Sequence, residues 1–203
     1  MSLEADHVEG VDSGRRHFLL VATTVTGLAG AAFTAVPFLA SWKPSARAQA
    51  LGAPVEVDIS KLEPGAIVKV EWRGQAIYVV RRTPAMLATL DGLTDQLADP
   101  ESNASEQPEY AKNEARSVNP EYLVVVGVCT HLGCAPINRF DPADAELGAD
   151  WPGGFYCPCH GSKFDLSGRV FKGVPAPLNL RIPPYQFLAD NTRLLIGSDT
   201  GAA

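Results

Sequence analysis

All four cysteines of this 203-residue chain, Cys129, Cys134, Cys157 and Cys159, lie in one short stretch. His131 and His160, two of its four histidines, lie there too. They fall into two loops, Cys129-Thr-His131-Leu-Gly-Cys134 and Cys157-Pro-Cys159-His160-Gly-Ser162. Each loop offers one cysteine and one histidine at short range, with a second cysteine left over. A fold that uses these donors as one site has to hold both loops together. Thiolates are soft ligands that suit iron–sulfur clusters and zinc, and imidazole suits both iron and zinc. Six donors exceed what a tetrahedral zinc ion takes, and structural zinc sites favour evenly paired cysteines roughly two to four residues apart. A thioredoxin-like redox pair is a poorer match, because one residue and not two separates Cys157 from Cys159.

The N-terminal part carries a second constraint. Residues 17–42 contain no Asp, Glu, Lys or Arg. At about 1.5 Å per residue such a run crosses a hydrocarbon core of roughly 30 Å as a helix. Trp42 and Lys43 are placed as interfacial anchors, and Pro37 falls near the far end, where a missing backbone bond costs least. A cleaved signal peptide would have an apolar region of only about 7–15 residues, so the segment is expected to be a retained anchor. Charge flanking the span is nearly balanced, Arg15 and Arg16 before it against Lys43 and Arg47 after it. The run Ser13-Gly14-Arg15-Arg16-His17-Phe18-Leu19 resembles a twin-arginine export signal, with Gly14 between the serine and the arginines. Residues 1–16 are therefore expected on the cytoplasmic side, with the remainder exported. Residues 43–53, small and alanine-rich, are expected to be a flexible linker, and a soluble head to occupy 54–203.

The head reads as mainly β. Strands are expected at 55–59, 67–72 and 76–81, the latter two joined by a turn at 73–75. Thr83 caps a helix that begins at Pro84 and is expected to reach about residue 98. The polar stretch 99–119 reads as a surface loop, 122–128 as a buried strand, and 185–188 with 193–196 as a closing hairpin. With 46% apolar residues, 20% charged residues and a net charge of −6, the chain folds and is a poor partner for nucleic acid, whose phosphates need a basic surface.

The two loops resemble, position for position, the two cluster-binding boxes of the Rieske iron–sulfur proteins of cytochrome bc complexes. That resemblance implies stacked antiparallel sheets, a small cluster-binding subdomain at about 127–178, one helical insertion and a single transmembrane helix. It implies one Rieske 2Fe–2S cluster, with Cys129 and Cys157 on the buried iron, His131 and His160 on the outer iron, and a disulfide between Cys134 and Cys159. Such a bond is expected only outside the cytoplasm. Gly161 is a turn glycine in this family, and Ser162 resembles the serine whose hydroxyl bonds a bridging sulfide. Phe164 stands where many relatives carry a tyrosine that bonds a ligand sulfur. Gly173-Val-Pro175-Ala-Pro177-Leu178 resembles the proline loop covering the cluster, with Val174 as an additional residue. Leu132 and Gly133 resemble the tip that docks at a quinol pocket.

The resemblance implies the iron–sulfur subunit of a quinol–cytochrome c oxidoreductase in a bacterial inner (plasma) membrane, single-pass, with the head in the periplasm. Its implied partners are a cytochrome b subunit, a c-type cytochrome, quinol and the lipid bilayer. One electron and a proton leave quinol together, the proton at a ligand histidine, His160 with His131 beside it. The head then swings on its linker to the cytochrome. Two alternatives stay open. The Rieske small subunit of an arsenite oxidase also combines an export signal with such a head, and a zinc-stabilised binding module would use the same donors without redox chemistry. A soluble Rieske ferredoxin lacks both the span and the additional cysteines.

Overall fold

The structure, a computed structural model, describes residues 12–188 and 191–198. Most of the N-terminal segment expected to carry the export signal, residues 1–11, therefore lies outside the described residues. The chain divides into two compact units, residues 1–49 and 50–203.

The first unit is built on α1, Ser13–Ser41, whose 29 residues make a rod of about 43 Å. It is long and apolar enough to cross a membrane. It begins four residues before the expected span because Asp12 caps it, its Oδ1 accepting from Gly14 N at 2.9 Å and Arg15 N at 3.2 Å. The hydroxyls of Thr23, Thr24, Thr26 and Thr34 each donate to the carbonyl four residues back. Within an apolar medium each would otherwise be an unsatisfied donor. The segment expected to be a plain linker holds a second helix, α2, Ala46–Gly52. Alanine is the strongest helix former, and Ser45 Oγ accepts from Ala48 N at 3.1 Å to start the turn.

The second unit holds three antiparallel three-stranded sheets. In the first, β1 (Val55–Asp58) and β8 (Tyr185–Phe187) flank β9 (Arg193–Ile196). In the second, β3 (Gln75–Arg81) lies between β2 (Ile67–Trp72) and β4 (Tyr122–Val126). Ile77, Tyr78, Val79 and Val80 are all buried, as a central strand covered on both faces demands. Arg73 and Gly74, at φ 52° and 72°, form a two-residue turn whose twist matches the strands, so Gln75 pairs with Trp72 and belongs to β3. The third sheet, β5 (Ile137–Arg139), β6 (Gly154–Cys157) and β7 (Ser162–Phe164), carries the cysteine-rich hairpin. At Gly154 a Cβ would lie 2.0 Å from the Phe164 carbonyl oxygen, so this strand requires glycine to approach its neighbour.

Two expectations for the insertion need correction. The helix beginning at Pro84, α3, ends at Ala88 and does not reach residue 98. Leu90, Leu93 and Leu97 are buried, and their spacing suggests a helix, but Asp91-Gly92 breaks the chain and only a 3-10 turn, Thr94–Gln96, follows. Nor is 99–119 simply surface: Ser102, Ala111 and Arg116 are buried.

Arg116 belongs to a buried polar network that crosses the head. Arg82 donates to the carbonyls of Pro120 at 2.8 Å, Ala115 at 2.9 Å and Leu166 at 3.1 Å. Arg116 donates to the carbonyls of Ser167 at 3.2 Å and Gly168 at 3.3 Å. Burial pushes both guanidiniums down to about 10, still charged at neutral pH. Asp165, fully buried, accepts from Arg169 Nε at 2.6 Å and from the backbone N–H groups of Ser167 and Arg169. Asp165→Ala would leave the Arg169 charge buried without its closest partner. The variant is expected to lose about 3–5 kcal/mol of stability, read by calorimetry as a lower unfolding temperature of the head.

Candidate metal centre

Loop one follows β4. Its backbone folds back on itself, Cys129 N donating to the Cys134 carbonyl at 2.8 Å and Gly133 N to the Cys129 carbonyl at 3.0 Å. Loop two is the β6–β7 turn, closed by the pairing of Cys157 with Ser162. There Gly161 N donates to the Cys157 carbonyl at 3.0 Å. The two loops thus share one frame, a cysteine carbonyl receiving the N–H of a glycine four residues on. Gly133 and Gly161, at φ 84° and 78°, hold the left-handed conformation that this closure needs, which an L side chain resists.

Between the loops the cysteines sort into two kinds. Cys134 and Cys159 form the disulfide, with Cα atoms 6.6 Å apart. Cys129 and Cys157 are free and buried. The sulfurs of Cys134, Cys157 and Cys159 lie within 4.8 Å of one another, but two of these are bonded together and have no thiolate to offer. Being free and buried, Cys129 and Cys157 are the credible sulfur donors. His131 and His160 meet edge to face with ring centroids 4.8 Å apart. His160 is exposed and His131 half-buried. His131 Nδ1 is buried and has no hydrogen-bond partner, an orphaned lone pair that a metal would satisfy. The two loops thus carry two buried free thiols and two imidazoles in mutual contact, one ring of which faces solvent.

The proline loop packs against both others. Ala176 N donates to Ser162 Oγ at 3.0 Å, so the hydroxyl oxygen is occupied as an acceptor and its hydrogen is free to donate elsewhere. Thr130 Oγ1 donates to the Leu178 carbonyl at 2.6 Å. Val174, the additional residue, packs on the core, while Pro175 and Pro177 are exposed. Phe164 is fully buried beside Phe155 on β6. Leu132 is 71% exposed at the tip, with Gly133 exposed next to it. Thr130 and Ala176 were not singled out by their sequence. Their roles come from contacts 48 and 14 residues away in the chain, for which no local signal exists.

The disulfide also changes the number of donors available to a metal. With Cys134 and Cys159 withdrawn, four donors remain, a number that a tetrahedral zinc ion would accept. The choice between zinc and an iron–sulfur cluster rests on kinship. A family model described as "Rieske [2Fe-2S] domain" matches residues 54–184. One described as "Ubiquitinol-cytochrome C reductase Fe-S subunit TAT signal" matches residues 5–45. The chain is 56% identical over 195 residues to a ubiquinol-cytochrome c reductase iron-sulfur subunit of Allochromatium vinosum, covering 96% of this chain and 94% of that one. A protein of the same description from Blastochloris viridis is 43% identical, covering 92% and 94%. Another from Rhodospirillum rubrum is 41% identical, covering 96% and 99%.

Two outcomes follow from the geometry. Removing the disulfide, as in Cys134→Ala with Cys159→Ala, is expected to lower stability by about 3.5 kcal/mol on a chain-entropy estimate for a loop of this length, measured by thermal unfolding. Burial first, then the Cys129 hydrogen bond, pushes the Cys157 thiol above its ordinary 9.0. Folded apoprotein keeps that proton where the unfolded chain has released it. The stability linked to it is intact below pH 9.0 and lost as pH rises through the raised value. Urea titrations of apoprotein across that window should show the fall, and Cys157→Ser should abolish it.

Proposed function

The chain belongs to the Rieske [2Fe-2S] family, among the iron–sulfur subunits of bacterial ubiquinol–cytochrome c reductases, and from this we propose how its own residues perform that electron transfer. The observation that carries the reading is that the same two loops supply the buried free pair Cys129 and Cys157 and the edge-to-face imidazoles of His131 and His160. When bound, the 2Fe–2S cluster supplies a one-electron couple at the tip of the head. Cys129 and Cys157 would hold one iron as thiolates, and His131 and His160 would hold the other. Their backbone frames keep the donors in place, and the Cys134–Cys159 disulfide keeps the loops from parting.

His160, exposed at the tip, receives the hydrogen bond of a quinol hydroxyl and takes its proton. His131, half-buried, is the inner member of that pair. Leu132 and Gly133 seat the tip against a cytochrome b subunit, where the quinol is held. Ser162, its oxygen already accepting from Ala176 N, would have its hydroxyl hydrogen available to the bound group, which favours the added negative charge. Phe164 offers no such donor. Pro175 and Pro177 stiffen the cover that excludes water.

The family match over residues 5–45 and the apolar helix fit a single-pass anchor. In the reading proposed here the segment up to residue 16 is cytoplasmic, 17–42 spans the bacterial inner membrane, and 54–203 forms a periplasmic head. The disulfide supports that side, since it persists in oxidising compartments. Residues 43–53 serve as the hinge for movement toward a c-type cytochrome. A helix of seven residues, α2, is marginal on its own in water, which suits a segment that changes length. Kinship to the reductase iron–sulfur subunits favours this reading over the arsenite oxidase and soluble ferredoxin alternatives, and the Rieske [2Fe-2S] match speaks against a zinc module.

Low-temperature EPR of ascorbate-reduced membranes containing this chain is expected to give a rhombic signal of average g below the free-electron value, altered by a quinol-site inhibitor. Zinc in place of iron and sulfide, with no such signal, would overturn the assignment. Phe164→Tyr is expected to raise the midpoint potential by adding a hydrogen bond to a ligand sulfur, and an unchanged or lower potential would remove Phe164 from the tuning set.

A further inference from the structure

Residues 84–119 gave the sequence little to say about function, yet in the fold they grip the proline loop at both of its feet. On the entry side, Ala98 N donates to the Val170 carbonyl at 2.9 Å and Lys172 N to the Gln96 carbonyl at 2.8 Å. On the exit side stands Asn179, 1% exposed. Its Nδ2 donates to the Asp99 carbonyl at 2.8 Å and to Ser102 Oγ at 2.9 Å, and its backbone N donates to Ser105 Oγ at 3.1 Å. The Oδ1 of the same side chain accepts from Val170 N at 2.8 Å. One amide thus joins the entry foot, the exit foot and the insertion.

Ser105 and Asp99 make that grip rigid. Ser105 Oγ donates to Asp99 Oδ2 at 2.7 Å, and the Asp99 carboxylate also accepts from the N–H groups of Asn103 and Ala104. The turn that receives Asn179 is therefore ordered by its own hydrogen bonds. The span between the feet contains Ala176, whose N–H meets Ser162 Oγ. Where Ala176 sits decides how the Ser162 hydroxyl is turned.

We propose that Asn179 is a positioning residue for the electron-transfer site: by locking both feet of the proline loop to the 96–105 insertion, it holds Ala176 N–H on Ser162 and so aims the serine hydroxyl. The inference rests on the cluster assignment above and adds a function for the insertion, which becomes the buttress of the third loop. Asn179 touches no ligand residue among its recorded hydrogen bonds, so it acts on the site only through that chain of contacts. Loss of the amide frees the loop, lets Ser162 reorient and weakens the donor that favours the reduced state.

The test is a redox titration, followed by EPR, of detergent-solubilised complex carrying Asn179→Ala, Ser162→Ala or both. Asn179→Ala is expected to lower the midpoint potential in the same direction as Ser162→Ala. The double variant is expected to fall no further than Ser162→Ala alone, because coupled residues are not additive. Hydrogen exchange of residues 173–178 should quicken in Asn179→Ala. Should that variant fail to assemble, Ser105→Ala removes one hydrogen bond to Asn179 and leaves its side chain in place, and a smaller shift of the same sign is expected. An unchanged potential, or a shift that adds fully to that of Ser162→Ala, overturns the positioning role. Absence of the rhombic signal from the unmutated protein would instead overturn the cluster assignment itself.

Discussion

At the end of β3 the guanidinium of Arg82 turns inward and donates to the Leu166 carbonyl at 3.1 Å and to Ser167 Oγ at 3.0 Å, 84 and 85 residues further along the chain. Arg116 reaches the carbonyls of Ser167 and Gly168 beside it. The turn they hold follows β7 directly, and β7 begins at Ser162. A short three-stranded sheet has little core of its own, and its strands here are three, four and three residues long. Two buried cations that find their acceptors in one turn fasten this sheet to the larger β2–β3–β4 layer. A buried guanidinium is costly unless its donors are matched. Every nitrogen of Arg82 finds an acceptor, whereas Arg116 is bonded through Nε and Nη1 and keeps Nη2 buried without a partner. It is chiefly Arg82, then, that leaves the turn little freedom to settle elsewhere. The cysteine hairpin inherits its position from that demand.

The same logic continues outward through smaller contacts. The Tyr78 hydroxyl donates to the Pro136 carbonyl at 2.9 Å, carrying the order of β3 to the exit of loop one. Thr130 and Ala176 tie the proline loop to loops one and two. The four candidate ligand side chains from two loops thus rest on three layers of support, each tied to the next by hydrogen bonds. Such a scaffold keeps donors at fixed separation, which is what an electron-transfer site needs if little is to move when charge arrives.

Legibility in the sequence followed the range of the physics. The β2–β3 hairpin and the closing β8–β9 pair were readable because alternation and turn residues are local. The Cys134–Cys159 bond and the ligand set came from the resemblance of two short boxes, and the bond is present in the fold. α3 was read ten residues too long because Leu90, Leu93 and Leu97 keep a helical spacing while packing from turns. Arg82, Arg116 and Asn179 were invisible, since a lone polar residue signals exposure until its partners, many of them dozens of residues away, are in view. The zinc alternative shows the converse. Counting six donors argued against it, yet the disulfide leaves four, and kinship was needed to decide.

Leu132 projects from the tip with 71% of its surface exposed. Fully burying such a side chain yields about 1.5–3 kcal/mol, and every 1.4 kcal/mol is about a tenfold change in an equilibrium. One leucine therefore lengthens an encounter by roughly ten- to a hundredfold and no more. A broad apolar face would hold the head at its first partner and stall the cycle. In the proposed cycle, a single protruding side chain would set a dwell time, long enough for an electron to cross and short enough for the head to leave.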